Sequence, residues 1–188
     1  MKNYLVAGLL FCLSASACAS DAAWVEIANN VFLDRHNLQL NGAGVRTKLS
    51  LDVYIAALYL VEKKTTAEAV FADVGEKRIA LHVLRGIGTG QMLGVFNEGI
   101  AANHNSSEIS EMATQLAEFA EIFRRMKEVN KGDVIALDYL PGRGTWVSVN
   151  GALQGTIAGT AFYKTLMKIW LGEHPVQEDL KSKLLGQQ

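Results

Sequence analysis

The stretch from Leu49 to Leu60 constrains the fold more than any other part of the sequence. Its first half, residues 49–55, largely alternates apolar with polar side chains, which is the period of a β-strand with one buried face. Its second half is almost entirely apolar, as in a strand that is covered on both faces. We therefore predict a long central strand in a sheet whose faces the rest of the chain must cover.

The segments around this strand predict further strands and one short helix. Residues 24–33 have the pattern of a strand, and the NGAG sequence at residues 41–44 has the composition of a turn. A short helix is expected over residues 65–75, because Thr and Glu at its start suit a helix N-terminus. Residues 78–84 form another apolar strand pattern.

Two helical segments follow a glycine-rich connection at residues 86–90. Apolar residues recur at helical spacing from residue 92 to 100, and again over residues 105–126, which we predict to be the longest helix. Asn105 and Glu108 have the spacing of a capping box at its N-terminus. The apolar stripe of this helix predicts that it packs against the core.

The C-terminal third predicts a three-stranded meander followed by helices. Three strands are expected between residues 133 and 157, with a turn at residues 141–144 and a hairpin turn at Asn150-Gly151. Thr160 is expected to cap a helix, and Pro175 to begin a last short one. Because strands and helices are segregated along the chain, we predict an α+β fold with an antiparallel sheet.

The N-terminus has the pattern of a secretory signal peptide, residues 1–19, in which an apolar run at residues 4–13 precedes small residues suited to cleavage. The run is about half of the roughly 20 residues that a membrane span requires. A membrane anchor and lipid attachment at Cys18 stay open as alternatives. Because Cys12 and Cys18 both lie here, the remaining single domain, residues 20–188, is expected to be free of disulfides. We expect an exported protein without a stable membrane span after cleavage, periplasmic in a cell with two membranes.

The overall composition argues against several classes of function. With 18 Lys and Arg against 19 Asp and Glu, the chain offers no broad basic surface to a nucleic acid. The 4 His show no metal-binding spacing, and no phosphate-binding or nucleophile-elbow motif is present. A catalytic triad set by geometry alone stays open. We therefore expect no metal, no cofactor and no nucleic-acid partner.

Arg46 is the residue whose position most suggests a function. It follows the NGAG sequence and precedes the half-buried strand. Two interpretations stay open. Arg46 is an ordinary edge-strand residue paired with an acid, or it is a cation at the mouth of an apolar pocket. In the second case its planar guanidinium suits a carboxylate or an enolate oxygen.

Four segments, in order along the chain, carry a family resemblance. They are NGAGVRTKLSLDVYIAALYL (41–60), ALHVLRGIGTGQM (80–92), KGDVIALDYLPGRGTWVSVNG (131–151) and IWLGEHPVQEDLKSKLL (169–185). On these segments the chain resembles the chalcone isomerase superfamily, and specifically its exported bacterial chalcone isomerase-like branch. The resemblance implies an open-faced β-sandwich, with a large antiparallel sheet covered on one face by a layer of helices and a ligand cleft between them.

The resemblance also implies roles for individual residues. Arg46 matches the arginine that binds developing negative charge when plant chalcone isomerases close a chalcone to a flavanone. Other positions depart from the plant enzymes, because Tyr54 and Ile169 replace threonines, Met92 replaces a tyrosine and Gly99 replaces an asparagine. Met, Gly and Ile cannot supply the missing side-chain hydrogen bonds, so we expect little of that reaction.

Three functions follow as hypotheses. The first is a non-catalytic or weakly catalytic protein that binds a small amphipathic, fatty-acid-like carboxylate, because the family includes non-catalytic members that bind fatty acids through the same arginine. The expected ligand-binding residues are Arg46, Tyr54, Met92, Phe96, Gly99 and Ile169.

The second hypothesis is an isomerase or lyase acting on an unknown enone or enolate, with Arg46 stabilising the oxyanion and Tyr54 as an acid. This hypothesis requires Tyr54 to point into the cleft beside Arg46. The third is a structural or interaction protein with a collapsed cleft, in which Arg46 pairs with an acid such as Asp52.

Overall fold

An antiparallel sheet forms the centre of the structure, a computed structural model that describes residues 25–126 and 128–187. The strands in chain order are β1 (Asn30–Leu33), β2 (His36–Lys48), β3 (Leu51–Leu60), β4 (Lys77–Val83), β5 (Ile87–Gly88), β6 (Glu128–Val129), β7 (Val134–Leu140), β8 (Gly144–Val149) and β9 (Ala152–Ile157). Seven of them form one sheet in the order β1-β2-β3-β4-β7-β8-β9, while β5 and β6 pair separately. The predicted signal peptide, residues 1–19, lies outside the described residues.

The helices cover one face of this sheet. They are α1 (Ala67–Ala72), α2 (Thr89–Asn103), α3 (Ser106–Glu111), α4 (Ala113–Arg125), α5 (Thr160–Leu171) and α6 (Glu178–Leu184). Their apolar sides and the facing side of the sheet form the main core, and a smaller apolar cluster lies on the other side of the sheet. Within the described part of the chain, no helix is long and apolar enough to cross a membrane. The predicted α+β architecture with a large antiparallel sheet is confirmed.

The central strand β3 behaves as its sequence predicts. Ala56, Leu58 and Leu60 are buried on the helix-covered side, and Ala57 and Tyr59 are buried on the opposite side. Both faces of this half of the strand are therefore removed from water, which explains its continuous apolar sequence.

The NGAG sequence at residues 41–44 does not form a turn. It lies inside β2, so that prediction is wrong. A Cβ atom on Gly42 would overlap the backbone carbonyl oxygen of Lys183, and one on Gly44 would lie 2.9 Å from the side chain of Leu180. These glycines therefore allow α6 to approach the strand closely, which is a packing requirement that resembles a turn signal in sequence.

The predicted long helix at residues 105–126 is interrupted. The capping box of Asn105 and Glu108 is present, with hydrogen bonds of 2.9 and 3.0 Å, but α3 ends at Glu111. The backbone N–H of Met112 bonds to the carbonyl of Ile109, which forms a tightened turn between α3 and α4. The longest described helix is instead α2, with 15 residues.

Three further element boundaries differ from the sequence predictions. Of the strand expected at residues 24–33, the described part, from residue 25, forms a strand over Asn30–Leu33. Gly159 rather than Thr160 is the N-cap of α5, and the Thr160 hydroxyl lies 3.0 Å from the hydroxyl of Tyr139 instead. The last helix begins at Glu178, three residues after Pro175. Tertiary hydrogen bonding at Thr160 thus takes precedence over local capping.

Candidate functional site

A cavity of about 250 Å³ lies between the helix-covered side of the sheet and the helices α2 and α5. The ends of β2, β3 and β4 form one wall, and the two helices form the other. Its lining residues are Arg46, Lys48, Leu49, Leu51, Val53, Tyr54, Leu81, Arg85, Gly86, Ile87, Gln91, Met92, Val95, Phe96, Ile169 and Trp170. Most of these side chains are apolar, and the polar ones are few, as in sites for small organic molecules.

Strand register places Arg46 and Tyr54 together at this cavity. The two residues are direct partners in the β2–β3 ladder, so their side chains lie on the same face of the sheet. The next pair is Thr47 with Asp52, which leaves Val53 as the extra residue of a β-bulge. Because of the bulge, Val53 and Tyr54 both reach the cavity wall instead of alternating between faces.

The guanidinium of Arg46 is held by Gln177 from the start of α6. Arg46 Nη1 donates to Gln177 Oε1 at 3.0 Å and also to the backbone carbonyl of Thr47. The same Oε1 accepts the backbone N–H of Thr47 at 2.9 Å, and Gln177 Nε2 donates to the carbonyl of Val45 at 3.1 Å. Among the described residues, these contacts occupy only Nη1. The N–H groups on Nε and Nη2 of the guanidinium remain free to donate to a ligand with two acceptor oxygens.

Tyr54 presents its hydroxyl to the same cavity. Trp170 Nε1 donates to the Tyr54 oxygen at 3.0 Å, so the tyrosine proton is free to point at a ligand oxygen. Burial raises the pKa of Tyr54 to about 12, although the bond from Trp170 and the charge of Arg46 act to lower it. At neutral pH this hydroxyl is therefore a proton-bearing hydrogen-bond donor.

The charges around the cavity are all positive. Arg46, Lys48 and Arg85 line it, and no Asp or Glu is among the lining residues. Within residues 25–126 and 128–187, none of the three forms a salt bridge. Asp52, the expected partner of Arg46 in a collapsed cleft, instead accepts a hydrogen bond from Thr47 Oγ1 at 3.0 Å. The site therefore offers unneutralised positive charge to an anion.

The inner end of the cavity is aromatic and apolar. Met92, Val95 and Phe96 lie on one face of α2 because they are three and four residues apart. Phe96 contacts Trp170 edge to face with ring centroids 6.0 Å apart, and it contacts Phe119 in the same way at 5.3 Å. Such packing fixes the shape of the apolar wall.

The structure brings together five of the six residues expected to bind a ligand. Arg46, Tyr54, Met92, Phe96 and Ile169 line the cavity. Gly99 does not. It lies one turn further along α2, where a Cβ atom would be 2.9 Å from Ile169 Cγ2. Its position serves the close packing of α2 on α5.

Several residues of this site were not expected from the sequence, among them Gln177, Trp170, Lys48 and Arg85. Gln177 and Trp170 lie within the IWLGEHPVQEDLKSKLL segment, but nothing local to that segment indicates that they contact β2 and β3. Lys48 and Arg85 come from two separate strand ends, which meet only when β2, β3 and β4 pair. Elsewhere in the described ranges, no group of three or more His, Cys, Asp or Glu is placed to hold a metal ion.

Comparisons with known proteins identify the family and the fold. A family model described as chalcone isomerase-like matches residues 19–186. A search of curated proteins finds no match. Among solved structures, the fatty-acid binding protein AtFAP1 of Arabidopsis thaliana is similar, with 16% sequence identity and a TM-score of 0.59 over 79% of this chain and 86% of that chain. At this identity the similarity shows the fold, and it confirms the predicted open-faced sandwich of chalcone isomerase type.

Proposed function

Because the chain belongs to the chalcone isomerase-like family, we propose that its cavity binds a small amphipathic carboxylate, with the head group on Arg46 and the tail among Met92, Phe96 and Ile169. The similar solved structure is that of a fatty-acid binding protein, which supports a ligand of this class. The proposal makes the protein a carrier or sensor of an organic acid rather than an efficient catalyst.

One observation carries this proposal: an apolar cavity with three cations and no acid in its lining. An apolar cavity alone would suit a neutral hydrophobic molecule. A cationic surface alone would suit many anions. The combination selects a molecule with an anionic head and an apolar tail, because each part then leaves water for a complementary environment.

The cavity volume sets the size of the enclosed tail. A cavity of about 150 Å³ is enough to hold benzene, which has six carbon atoms. By proportion, about 250 Å³ holds about ten non-hydrogen atoms. Octanoate has this number, and a longer acid would exceed the enclosed volume.

Native mass spectrometry of gently purified protein is the first test, followed by extraction and identification of any co-purified acid. Calorimetric titration with octanoate then measures affinity directly. Arg46→Met keeps an unbranched apolar stem but removes the guanidinium and its charge. We expect it to weaken octanoate binding by about tenfold to a hundredfold, the effect of losing a charge-assisted hydrogen bond.

The matched control is Arg35→Met, which makes the same change at a highly exposed arginine in the β1–β2 turn. It should bind octanoate like the wild type. Equal octanoate affinity in the wild type, Arg46→Met and Arg35→Met would contradict the proposal. The absence of measurable octanoate binding in the wild type would contradict it as well.

The second candidate function is an isomerase or lyase acting on an enone or enolate. The position of Tyr54 favours it, because the tyrosine hydroxyl and the Arg46 fork face one cavity and together resemble an oxyanion site. The raised pKa of Tyr54 opposes a proton-transfer role, since a general acid works best with a pKa near the working pH. A turnover screen with enone substrates tests this candidate, and Tyr54→Phe should abolish any activity that depends on the hydroxyl.

We also propose that residues 1–19 are a signal peptide, that residues 20–188 form one domain, and that the protein is exported to a bacterial periplasm. The apolar run followed by small residues and the family resemblance support this placement. Cell fractionation, with mass measurement of the processed N-terminus, tests it. A lipid on Cys18 would add a characteristic mass to the processed chain.

A further inference from the structure

The turn between β2 and β3 carries two exposed leucines at the rim of the cavity. We define the hairpin tip as residues 48–51. Leu49 is 88% exposed and Leu51 is 46% exposed, and both also line the cavity mouth. Folding of the domain alone does not account for an apolar side chain as exposed as Leu49, at the end of a hairpin and away from the core.

The backbone of the hairpin tip is also unfavourable for the residues that occupy it. Leu49 and Ser50 both have positive φ angles, 50° and 62°, as in a tight hairpin turn. The β8–β9 hairpin of the same chain meets the same demand with Asn150 and Gly151, which suit such angles. A leucine held in this conformation, and turned to solvent, points to a role outside the fold.

Positive charge flanks these leucines. Lys48 lies in the hairpin tip and Arg85 follows β4 beside it, both exposed at the cavity rim. The nearest acid in the hairpin is Asp52, which follows Leu51 and is exposed; it accepts a hydrogen bond from the Thr47 hydroxyl and is not part of the cavity lining, so two cations stand against one acid here. Apolar side chains beside lysine and arginine are the combination that binds an anionic lipid surface.

We propose that the hairpin tip docks the protein on an anionic lipid bilayer, with the two leucines in the acyl boundary and Lys48 and Arg85 on lipid phosphates. The purpose of this docking rests on the proposed function, because a bilayer is where an amphipathic acid partitions and the tip forms the rim of its cavity. A second protein is a poorer fit, since a stable protein interface needs about 800 Å² from each partner, far more than two leucines supply.

Vesicle flotation tests the proposal. It uses the protein purified from its host after removal of the proposed signal peptide. The wild type should float with phosphatidylcholine vesicles that contain phosphatidylglycerol, and much less with pure phosphatidylcholine vesicles. Leu49→Asn should weaken binding by about tenfold through loss of the apolar contact. Lys48→Ala and Arg85→Ala should each weaken it by about fivefold. Added salt should reduce the binding of the wild type.

The controls exclude misfolding and nonspecific binding through other exposed side chains. Asn suits a positive φ better than leucine, so Leu49→Asn should be at least as stable to heat as the wild type. Leu153→Asn removes another exposed leucine on β9, and Lys63→Ala another exposed lysine, both away from the cavity. These two controls should float like the wild type. Equal flotation of wild type and Leu49→Asn would overturn the proposal.

Two further outcomes separate this proposal from others. If the wild type forms a dimer without vesicles, and Leu49→Asn makes it monomeric, the hairpin tip joins two copies and membrane docking is wrong. Octanoate binding by the wild type is measured separately without vesicles. Flotation without octanoate binding would support membrane docking and refute the proposed ligand. Octanoate binding without flotation would support the ligand and refute membrane docking.

Discussion

Arg46 and Tyr54 oppose each other across the β2–β3 ladder, at the last regular pair before the bulge at Val53. This pairing puts a cation and a proton-bearing hydroxyl side by side in the lining of one cavity. Trp170 of α5 holds Tyr54 by a hydrogen bond, and Gln177 at the start of α6 holds Arg46 in the same way. The head-group site therefore depends on contacts between the sheet and the C-terminal helices.

The first prediction concerns stability at alkaline pH. Burial raises the pKa of Tyr54 from 10.0 to about 12, so the folded protein holds this proton more tightly than the unfolded chain does. The resulting stabilisation is complete below about pH 10 and is lost as the pH rises towards about 12. Tyr54→Phe should reduce this loss by about 2–3 kcal/mol in urea unfolding measured across that pH range.

Other buried groups set the background of this experiment. The pKa of Tyr163 is also raised by burial, and Tyr163 is present in both proteins, so only the difference between them reports on Tyr54. At neutral pH, Tyr54→Phe should cost about 1–3 kcal/mol, because it leaves the buried indole N–H of Trp170 unpaired. Parallel pH profiles for wild type and variant would refute the assignment.

The second prediction concerns the amide of Gln177. In Gln177→Glu, a carboxylate replaces the amide oxygen that accepts from Arg46 at 3.0 Å, and it neutralises the guanidinium from inside the protein. Octanoate affinity should fall by about tenfold or more in calorimetric titration. Gln39→Glu is the matched control, because Gln39 lies on the same strand as Arg46 and bonds the carbonyl of Val61 far from the cavity. An equal effect of both substitutions would mean that added negative charge, rather than contact with Arg46, weakens binding.

The third prediction contrasts two glycines of α2. A Cβ atom on Gly94 meets nothing within 4 Å, whereas one on Gly99 would lie 2.9 Å from Ile169 Cγ2. Gly94→Ala should therefore raise the free energy of unfolding by about 0.5–1 kcal/mol. Gly99→Ala should lower it by about 1–3 kcal/mol through overpacking. In a double-mutant cycle with Ile169→Ala, the cost of Gly99→Ala should shrink, and strict additivity would contradict the contact.

Local chemistry explains which parts of the fold the sequence could predict. The Asn150-Gly151 turn and the Asn105 capping box depend on residues close together in the chain, and both are present. The two-sided burial of β3 follows from its own composition. The glycines at residues 41–44 were misassigned because their neighbours lie in α6, about 140 residues later, and no local pattern contains that contact.

The site was only partly predictable for the same reason. Arg46 and Tyr54 could be singled out, because one follows a family motif and the other lies in the strand beside it. The residues that hold them could not, since Gln177 is 131 positions from Arg46 and Trp170 is 116 positions from Tyr54. The positive φ of Leu49 could not be predicted either, because leucine is not a residue type that favours this conformation in turns.

The last prediction uses chain length to measure the cavity. Each methylene that enters an apolar site adds about 0.8 kcal/mol, which is about fourfold in affinity. For straight-chain acids from butanoate to dodecanoate, affinity should rise by this factor until about ten non-hydrogen atoms fill the space, and then level off near octanoate. Phe96→Leu shortens the aromatic side chain at the inner end, so its plateau should move to a longer acid. A plateau at the same length in both proteins would mean that the tail does not reach Phe96 and leaves the cavity through its rim.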